Sequence, residues 1–446
     1  MSHNSLEVAA AGEAAPLDNS DVIDYISGPH LIRPDGRSDS RRMKFRLSLM
    51  MFLQFFVWGG WFVTLGSYLG ATLAASGSQI GLAYATQSWG AIVAPFIFGL
   101  IADRYFNAER VLAAAHLAGG VLMLALARSA HFVAFYPLLL LYMILYMPTL
   151  ALANSVAFRQ LRDPSREFSS IRVWGTVGWI VAGLCISYLF SWDSPESIAR
   201  GMLRNTFLMC GIASLVLGLY SLTLPQTPPA ADRAARPELR DLLGLEALRL
   251  LANRNFLVFF CASILICIPL AFYYQNANQF LTELRVPNAT GKQTLGQMSE
   301  VLFMLLIPVF LNRFGMKITL LAGMLAWAVR YVLFAFGNAG DLVALLLLGI
   351  ALHGVCYDFF FVSGQIYIDS KAGPRIKSAA QGLITLATYG AGMLIGFWAA
   401  GKITDYYATG AAHDWQSIWQ FPAVFAAVIF VLFALLFRNE NVRYQK

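Results

Sequence analysis

Charge is what this sequence has least of. Only 13% of its 446 residues are Asp, Glu, Lys or Arg, about half the roughly 25% usual in soluble domains, while 58% are hydrophobic. That excludes a chain folded in water over most of its length. Cysteine is scarce as well. Cys185, Cys210, Cys261, Cys267 and Cys356 fall inside apolar runs with no Cys-x-x-Cys pair, which excludes a disulfide framework or thiolate metal site and leaves small buried hydrophobes. No Gly-x-Ser-x-Gly, His-Glu-x-x-His or phosphate-loop pattern occurs, so an intramembrane enzyme is the least favoured class and no metal or other cofactor is expected. Residues 1–44 lack the apolar core of a signal peptide. They are polar, carry Pro16, Pro29 and Pro34, and read as a disordered cytoplasmic tail, with Met43 as an alternative start.

What is present in abundance is the long apolar run. Runs of about twenty residues cross a hydrocarbon core of roughly 30 Å, and they recur twelve times, at 45–69, 80–102, 111–128, 132–156, 171–191, 205–224, 255–281, 291–311, 317–337, 341–366, 377–400 and 416–437. An even number puts both ends on one side of a lipid bilayer. Lys and Arg are retained in short cytoplasmic loops. One side carries Arg33, Arg37, Arg41, Arg42 and Lys44, then Arg104, Arg110, Arg159, Arg162, Arg166, Arg313, Lys317, Lys371, Arg375 and Lys377; the other holds Arg128, Arg200, Arg204, Arg285, Lys292 and Lys402. Both termini are therefore expected to be cytoplasmic, and the net charge of +7 needs no nucleic-acid partner.

The longest polar interruption, residues 225–254, separates six spans from six. Its Pro- and Ala-rich first half reads as linker. Leu239, Leu242, Leu243 and Leu250 then share one helical face, as in an interfacial helix. The organisation expected is a tail (1–44), a six-helix bundle (45–224), a cytoplasmic linker (225–254), a second six-helix bundle (255–437) and a short tail (438–446). The loop after span 2, "GLIADRYFNAERV", resembles the Gly-x-x-x-Asp-Arg loop of the major facilitator superfamily through Gly99, Asp103 and Arg104. "LNRFGMKI", after span 8, is a degenerate copy keeping Arg313 and Gly315. Such a loop can pin two helix ends by an ion pair in one conformation and free them in another.

Polar side chains at membrane depth face a cavity, a partner or a substrate path. Spans 1, 2 and 4 offer Gln54, Gln87 and Asn154. Arg172, whose guanidinium costs about 2.5–3.5 kcal/mol on insertion scales, opens span 5 four residues before Thr176 and so shares its face. Span 7 carries Tyr274, Gln275 and Asn278, span 8 Gln297 and Glu300 three apart, span 9 Trp327 and Arg330, and span 10 His353, Tyr357 and Asp358. Two acids and two cations are too few for a charge-ringed channel; they suit a proton-coupled carrier. A carboxylate in a low-dielectric cavity holds a proton more readily than in water, so it can load on one side and unload on the other. The bland alternatives are a permanent ion pair for Glu300 or Asp358, a tautomer-locked core bond for His353, and an Arg330 that reaches back to the interface. Most of the aromatics read as lipid-facing or interfacial, and Trp174 and Trp179 as packing or interfacial groups. Tyr273, Tyr274, Tyr357, Phe359 and Phe360, interleaved with polar groups, could stack a flat ring.

Seven blocks then fall in order: "LQFFVWGGWFVTLGSYL", "YMPTLALANS", "IRVWGTVGWI", "GQMSEVLFMLLIPVFLNRFGMK", "WAVRYVLFAFG", "YDFFFVSGQIYI" and "IKSAAQGL". From Met43 to Phe437 the chain resembles the bacterial nucleoside:proton symporters of the major facilitator superfamily. The resemblance implies an all-α integral membrane fold of twelve helices in two pseudo-symmetric six-helix halves. It implies proton-coupled nucleoside uptake by alternating access, as a monomer, in the bacterial cytoplasmic (inner) membrane. Carried over by residue, it assigns nucleoside binding and proton coupling to Arg172, Thr176, Gln297, Glu300, Tyr357 and Asp358, with Asp358 or Glu300 carrying the proton. Two departures fall at the presumed pocket: Ala271 and Tyr274 stand where the family has Gln and Asn, and His353 where it has Tyr. The substrate-facing set expected is completed by Tyr274, Gln275, Asn278 and His353. The alternatives are a carrier of another hydroxylated solute, such as a sugar, and a sensor that keeps the carrier fold.

Overall fold

The structure, a computed structural model, describes residues 37–161, 163–228, 245–410 and 412–439. It is almost wholly helical. The compact unit that holds the helices runs from Phe45 to Lys446, and the residues before it form a separate unit.

The first six spans are α1 (Arg37–Phe62) continued after two turn residues by α2 (Leu65–Leu73), α3 (Gly77–Tyr105), α4 (Ala108–Leu126), α5 (Phe132–Gln160), α6 (Pro164–Leu184) and, after the short α7 (Pro195–Ala199), α8 (Arg204–Ser221). The last six are α9 (Arg254–Glu283), the two arms of α10 (Ala289–Phe336), α11 (Val343–Ala351) leading through α12 (His353–Tyr357) into α13 (Ser363–Thr385), α14 (Met393–Tyr406) and α15 (Trp415–Leu436). Among the described residues nine helices are long and apolar enough to cross a membrane, α10 being long enough for two crossings. α1 begins at Arg37, inside the stretch read as tail, because nothing in "RSDSRRMK" breaks a helix. Residues 229–244 lie outside the described residues, and with them Leu239, Leu242 and Leu243 of the expected interfacial helix. Leu250 lies in a 3₁₀ turn, Leu245–Ala252.

Local chemistry sets the boundaries. Ser76 caps α3, its hydroxyl accepting from the Gln79 N–H while the Gln79 side chain accepts from the Ser76 N–H, a reciprocal box that satisfies two orphan donors. Asn253 and Asp414 cap α9 and α15. In the middle of α10, Gly315 takes φ 77° and ψ 173° and turns one arm into the next, and Gly373 does the same inside α13 at φ 67° and ψ 172°. Only glycine adopts that region freely. Three π-turns, Cys185–Leu189, Asp358–Val362 and Leu386–Gly392, offset the faces that follow them.

Packing runs within each set of six and between the sets. α4 packs on α5 and α8, and α3 on α5; α10 packs on α12 and α15, and α9 on α14 and α15. Between sets, α3 meets α14, α2 meets α9, and α6 meets α10. Small residues permit these approaches, since a Cβ on Gly81 would lie 2.5 Å from the Phe397 carbonyl oxygen and one on Gly401 2.7 Å from that of Gly77. Near the same end, Asp405 at the end of α14 accepts from the Ser78 N–H at 2.9 Å and from its hydroxyl. Asp193, following α6, accepts from the Thr290 N–H of α10 at 3.0 Å and from Ser187 Oγ at 2.5 Å, and Ser187 Oγ accepts from the Gly291 N–H at 2.7 Å. Each carboxylate sits on the N-terminus of a helix from the opposite set, where exposed N–H groups and the helix dipole favour negative charge.

Candidate functional site

Between the two sets lies a cavity of about 720 Å³, within the range of roughly 300–1,000 Å³ that holds small ligands. One wall is aromatic. Phe55, Trp58 and Phe62 of α1 and Trp179 of α6 line it, the Trp58 and Trp179 rings meeting edge to face at 5.5 Å. The facing wall is polar, with Gln297 and Glu300 of α10 and His353 and Tyr357 of α12 beside Tyr274 of α9 and Tyr389. Tyr357 and Tyr389 share a hydroxyl–hydroxyl bond of 2.8 Å.

The polar groups of the first wall come from α3, α5 and α6. Gln87, Asn154, Ser155, Arg172 and Thr176 all reach the cavity. Arg172, Thr176 and Trp179 are spaced four and three apart, one helical face. Arg172 lies 4.0 Å over the Phe55 ring, a cation–π contact that holds the guanidinium at the cavity edge. Gly175 makes this possible, because a Cβ there would meet the Phe55 ring at 2.6 Å and Arg172 Nη1 at 2.7 Å. The lining extends through Ser155 of α5 and Thr385 of α13, toward the helix ends that carry Arg159 and Lys377. At the opposite end the contacts of Asp193, Asp405 and the paired glycines close the path.

Of the residues singled out from sequence, Arg172, Thr176, Tyr274, Gln297, Glu300, His353 and Tyr357 line the cavity. Gln275, Asn278 and Asp358 do not. Gln275 points about 100° round the helix from Tyr274, where its amide meets the backbone of Gly77, Phe397 and Gly401. Asn278 lies one turn beyond Tyr274 toward the closed end. It accepts from Ser67 Oγ at 2.7 Å and donates to Thr290 Oγ1 at 3.0 Å and Gln293 Oε1 at 2.6 Å. Both amides are thus spent on holding the two helix sets together. Asp358 opens a π-turn and is fully buried behind the polar wall, with neither carboxyl oxygen bonded to any described residue. Gly99 and Asp103–Arg104 lie in the last turns of α3; their side chains fall outside the described residues.

Two readings change. Trp179 was expected to be a packing group and is a cavity wall, whereas Trp174 faces outward, 46% exposed. Arg330 does not reach back to an interface. It is fully buried, 3.4 Å over the Tyr273 ring, and its Nη1 lies 3.1 Å from His353 Nδ1. Tyr389 and the Phe55–Trp58–Phe62 stripe were missed; the stripe's one signal was the i, i+3, i+7 spacing of aromatics on the face of span 1 that also holds Gly59, and Tyr389 had none. Among the described residues no group of His, Cys, Asp and Glu could hold a metal ion.

Comparison with known proteins places these features. The family model described as "Nucleoside H+ symporter" matches residues 41–442. YegT of Escherichia coli (strain K12), named for nucleoside transport, is 44% identical over 89% of this chain and 94% of its own length. The xanthosine permease of the same organism is 36% identical over 89% and 96%, and its nucleoside permease NupG 32% identical over 90% and 97%. The crystal structure of NupG superposes with a TM-score of 0.80 at 31% identity, over 89% of this chain and all of that one. Bacterial peptide transporters of the POT family share the fold at a TM-score of 0.66 and 15% identity.

Proposed function

The chain belongs to the nucleoside:H+ symporter family, and from that membership we propose that the cavity between its two helix sets is where a nucleoside is bound and passed across the membrane with a proton. It is a secondary transporter, not an enzyme. The observation that carries the site assignment is the pairing of an aromatic wall with a polar one across about 720 Å³. A base stacks on Trp179 and Phe55, and the ribose hydroxyls meet Gln297, Glu300 and Tyr357. Arg172 and Thr176 bond the ligand from the opposite side.

Glu300 and Asp358 divide the proton work. Glu300 faces the cavity, so the ligand and the proton compete for or share its carboxylate. Asp358 is enclosed with no side-chain bonding partner among the described residues, an environment that strongly penalises a bare charge, and its proton leaves only when the wall of α10 and α12 moves. The two sets of six helices rock about the site. With the basic loops in the cytoplasm and the protein in the bacterial inner membrane as a monomer, the cavity extends toward the cytoplasm and the end held by Asp193 and Asp405 is the outer gate. Family membership does not favour the reading as a sugar carrier.

The test is uptake of labelled nucleosides into proteoliposomes with an imposed proton gradient. A protonophore abolishes accumulation, and Asp358→Asn and Glu300→Gln lose accumulation while Asp358→Asn keeps nucleoside counterflow. Accumulation that survives the protonophore refutes symport.

A further inference from the structure

His353 is a histidine in a proton-coupled transporter, and its surroundings determine which of its atoms can act. The Arg330 guanidinium carries only N–H donors and no acceptor. With Arg330 Nη1 at 3.1 Å, His353 Nδ1 must be the acceptor, so the ring proton sits on Nε2. The opposite tautomer, or a doubly protonated ring, would turn an N–H toward a guanidinium N–H. Arg330 in turn cannot swing away, because it is fully buried with its guanidinium stacked 3.4 Å over Tyr273.

The imidazole is fixed in orientation as well as in tautomer. It stacks on the Tyr273 ring at 5.3 Å and 25°, meets Tyr274 edge to face at 6.5 Å, and is backed by Tyr357 at 5.9 Å. Gly296 gives it room, since a Cβ there would lie 3.1 Å from His353 Cβ. The charged and titratable groups around it are Arg330, Tyr273 and Tyr274 on the neighbouring helices, Glu300 on the shared cavity wall, and Tyr357 and Cys356 on its own helix. Nε2 has no hydrogen-bond partner among the described residues, and the residue lines the cavity.

We propose that His353 is a specificity-determining residue, a fixed and uncharged hydrogen-bond donor that reads an acceptor atom on the transported solute and takes no part in carrying the proton. The proposal rests on the reading of the cavity as a nucleoside site. The acceptor is an uncharged oxygen, either a sugar hydroxyl or a base carbonyl, since those are the acceptors a nucleoside offers to a neutral N–H. A donor-only group in this place rejects solutes that present a donor or a cation there, because two donors would be left facing each other in a desolvated site.

Three measurements on the full-length protein in lipid nanodiscs test it. In ¹⁵N-histidine NMR, the His353 signal, identified by its loss in His353→Gln, is expected to show a protonated Nε2 and a bare Nδ1 from pH 5.5 to 8; a doubly protonated ring in that window overturns the proposal. Binding is compared for uridine, 2′-deoxyuridine, 3′-deoxyuridine and 4-thiouridine, in wild type and His353→Phe. One analogue is expected to lose about 5- to 150-fold in the wild type, the cost of leaving a desolvated donor unsatisfied, and no more than about twofold in the variant. A deoxy analogue identifies the sugar and the thio analogue the base; equal losses in both proteins overturn the proposal. His353→Gln, whose amide offers an acceptor to Arg330 and a donor to the solute, is expected to leave the pH profile of uptake in place, and a displaced profile refutes its exclusion from the proton path. If the wild type binds none of the four, the nucleoside reading falls, and the acceptor assignment with it, whatever tautomer the NMR reports.

Discussion

Asp193 and Asp405 are expected to act as a matched pair of latches. Asp405 makes two hydrogen bonds across the closed end of the cleft, to the Ser78 N–H and hydroxyl, and Asp193 makes one, to the Thr290 N–H, while Ser187 of its own set holds it in place. Three of those groups belong to, or lead directly into, a helix start in the opposite set. When this end opens, water replaces the bonds, so only the net value counts. Losing a capping side chain costs about 0.5–2 kcal/mol, and the charge on the helix dipole adds about 0.3–1 kcal/mol. Taken in the lower half of those ranges, because water solvates the freed groups, roughly 1–2 kcal/mol per carboxylate follows, hence about 2–4 kcal/mol for Asp193→Ala with Asp405→Ala. That moves the equilibrium between the closed and open forms of this end about 30- to 900-fold. Spin labels at Ala71→Cys and Tyr406→Cys, both exposed positions at this end, report it by pulsed electron resonance, with the exposed Cys261 replaced. The double variant should gain a long-distance population absent from the parent. Identical distance distributions in a protein that elutes as a folded species would refute the latch.

Three further outcomes follow from the geometry. Trp179→Ala removes a stacking face worth about 1–3 kcal/mol per base, so nucleoside affinity should fall about 5- to 150-fold; calorimetry that finds it unchanged places the base elsewhere. Arg172→Lys keeps a charge but loses the planar fork and most of the stacking on Phe55, and transport kinetics should show a raised KM with counterflow retained. An unaltered KM would assign the guanidinium to pairing alone. Gly315→Ala forces a side chain into a backbone region that costs about 1–3 kcal/mol, and the melting temperature in detergent should drop; no drop would mean the joint between the arms of α10 relaxes without strain.

The fold class was legible because bilayer physics writes it in composition, as apolar runs long enough to cross the hydrocarbon core. The cavity lining was legible where a polar residue interrupts such a run and its face is set by simple helical spacing, as for Arg172 with Thr176 and Gln297 with Glu300. It was not legible where facing depends on tertiary detail. Gln275 and Asn278 follow Tyr274 in one helix and carry the same chemical signal as a ligand-binding amide, yet their partners include Gly77 and Ser67, far away in sequence, and Thr290 at the start of the next helix. Asp358 follows Tyr357 directly, and the π-turn that begins there leaves it behind the wall that Tyr357 lines. Trp179 looked like any other membrane tryptophan until the approach of α1 at Gly59, where a Cβ would meet its ring at 2.7 Å, placed it between two helices and the cavity.

The placement of cavity and closed end on the same helices explains how a solute can bias the whole transporter. Along α9, Tyr274 lines the cavity and Asn278, one turn on, ties Ser67 to Thr290 and Gln293. Along α10, Gln297 lines the cavity and Gln293, one turn back, receives that Asn278 bond. Arg172, Thr176 and Trp179 stand on α6, whose end carries Ser187 and Asp193. Three helices therefore present cavity-facing groups at one level and latch groups a few turns away, unbroken on α9 and α10 and, after α6, joined through the π-turn at Cys185–Leu189 and the turn residues that follow it. A ligand shifts such an equilibrium only by the difference between its contacts in the two states. In the proposed site, contacts that draw the aromatic and polar walls together around a nucleoside would rotate these helices as rods. The same few kcal/mol that bind the solute then weigh directly against the 2–4 kcal/mol, roughly, estimated for the two carboxylates, which is the scale needed for either end to open in turn.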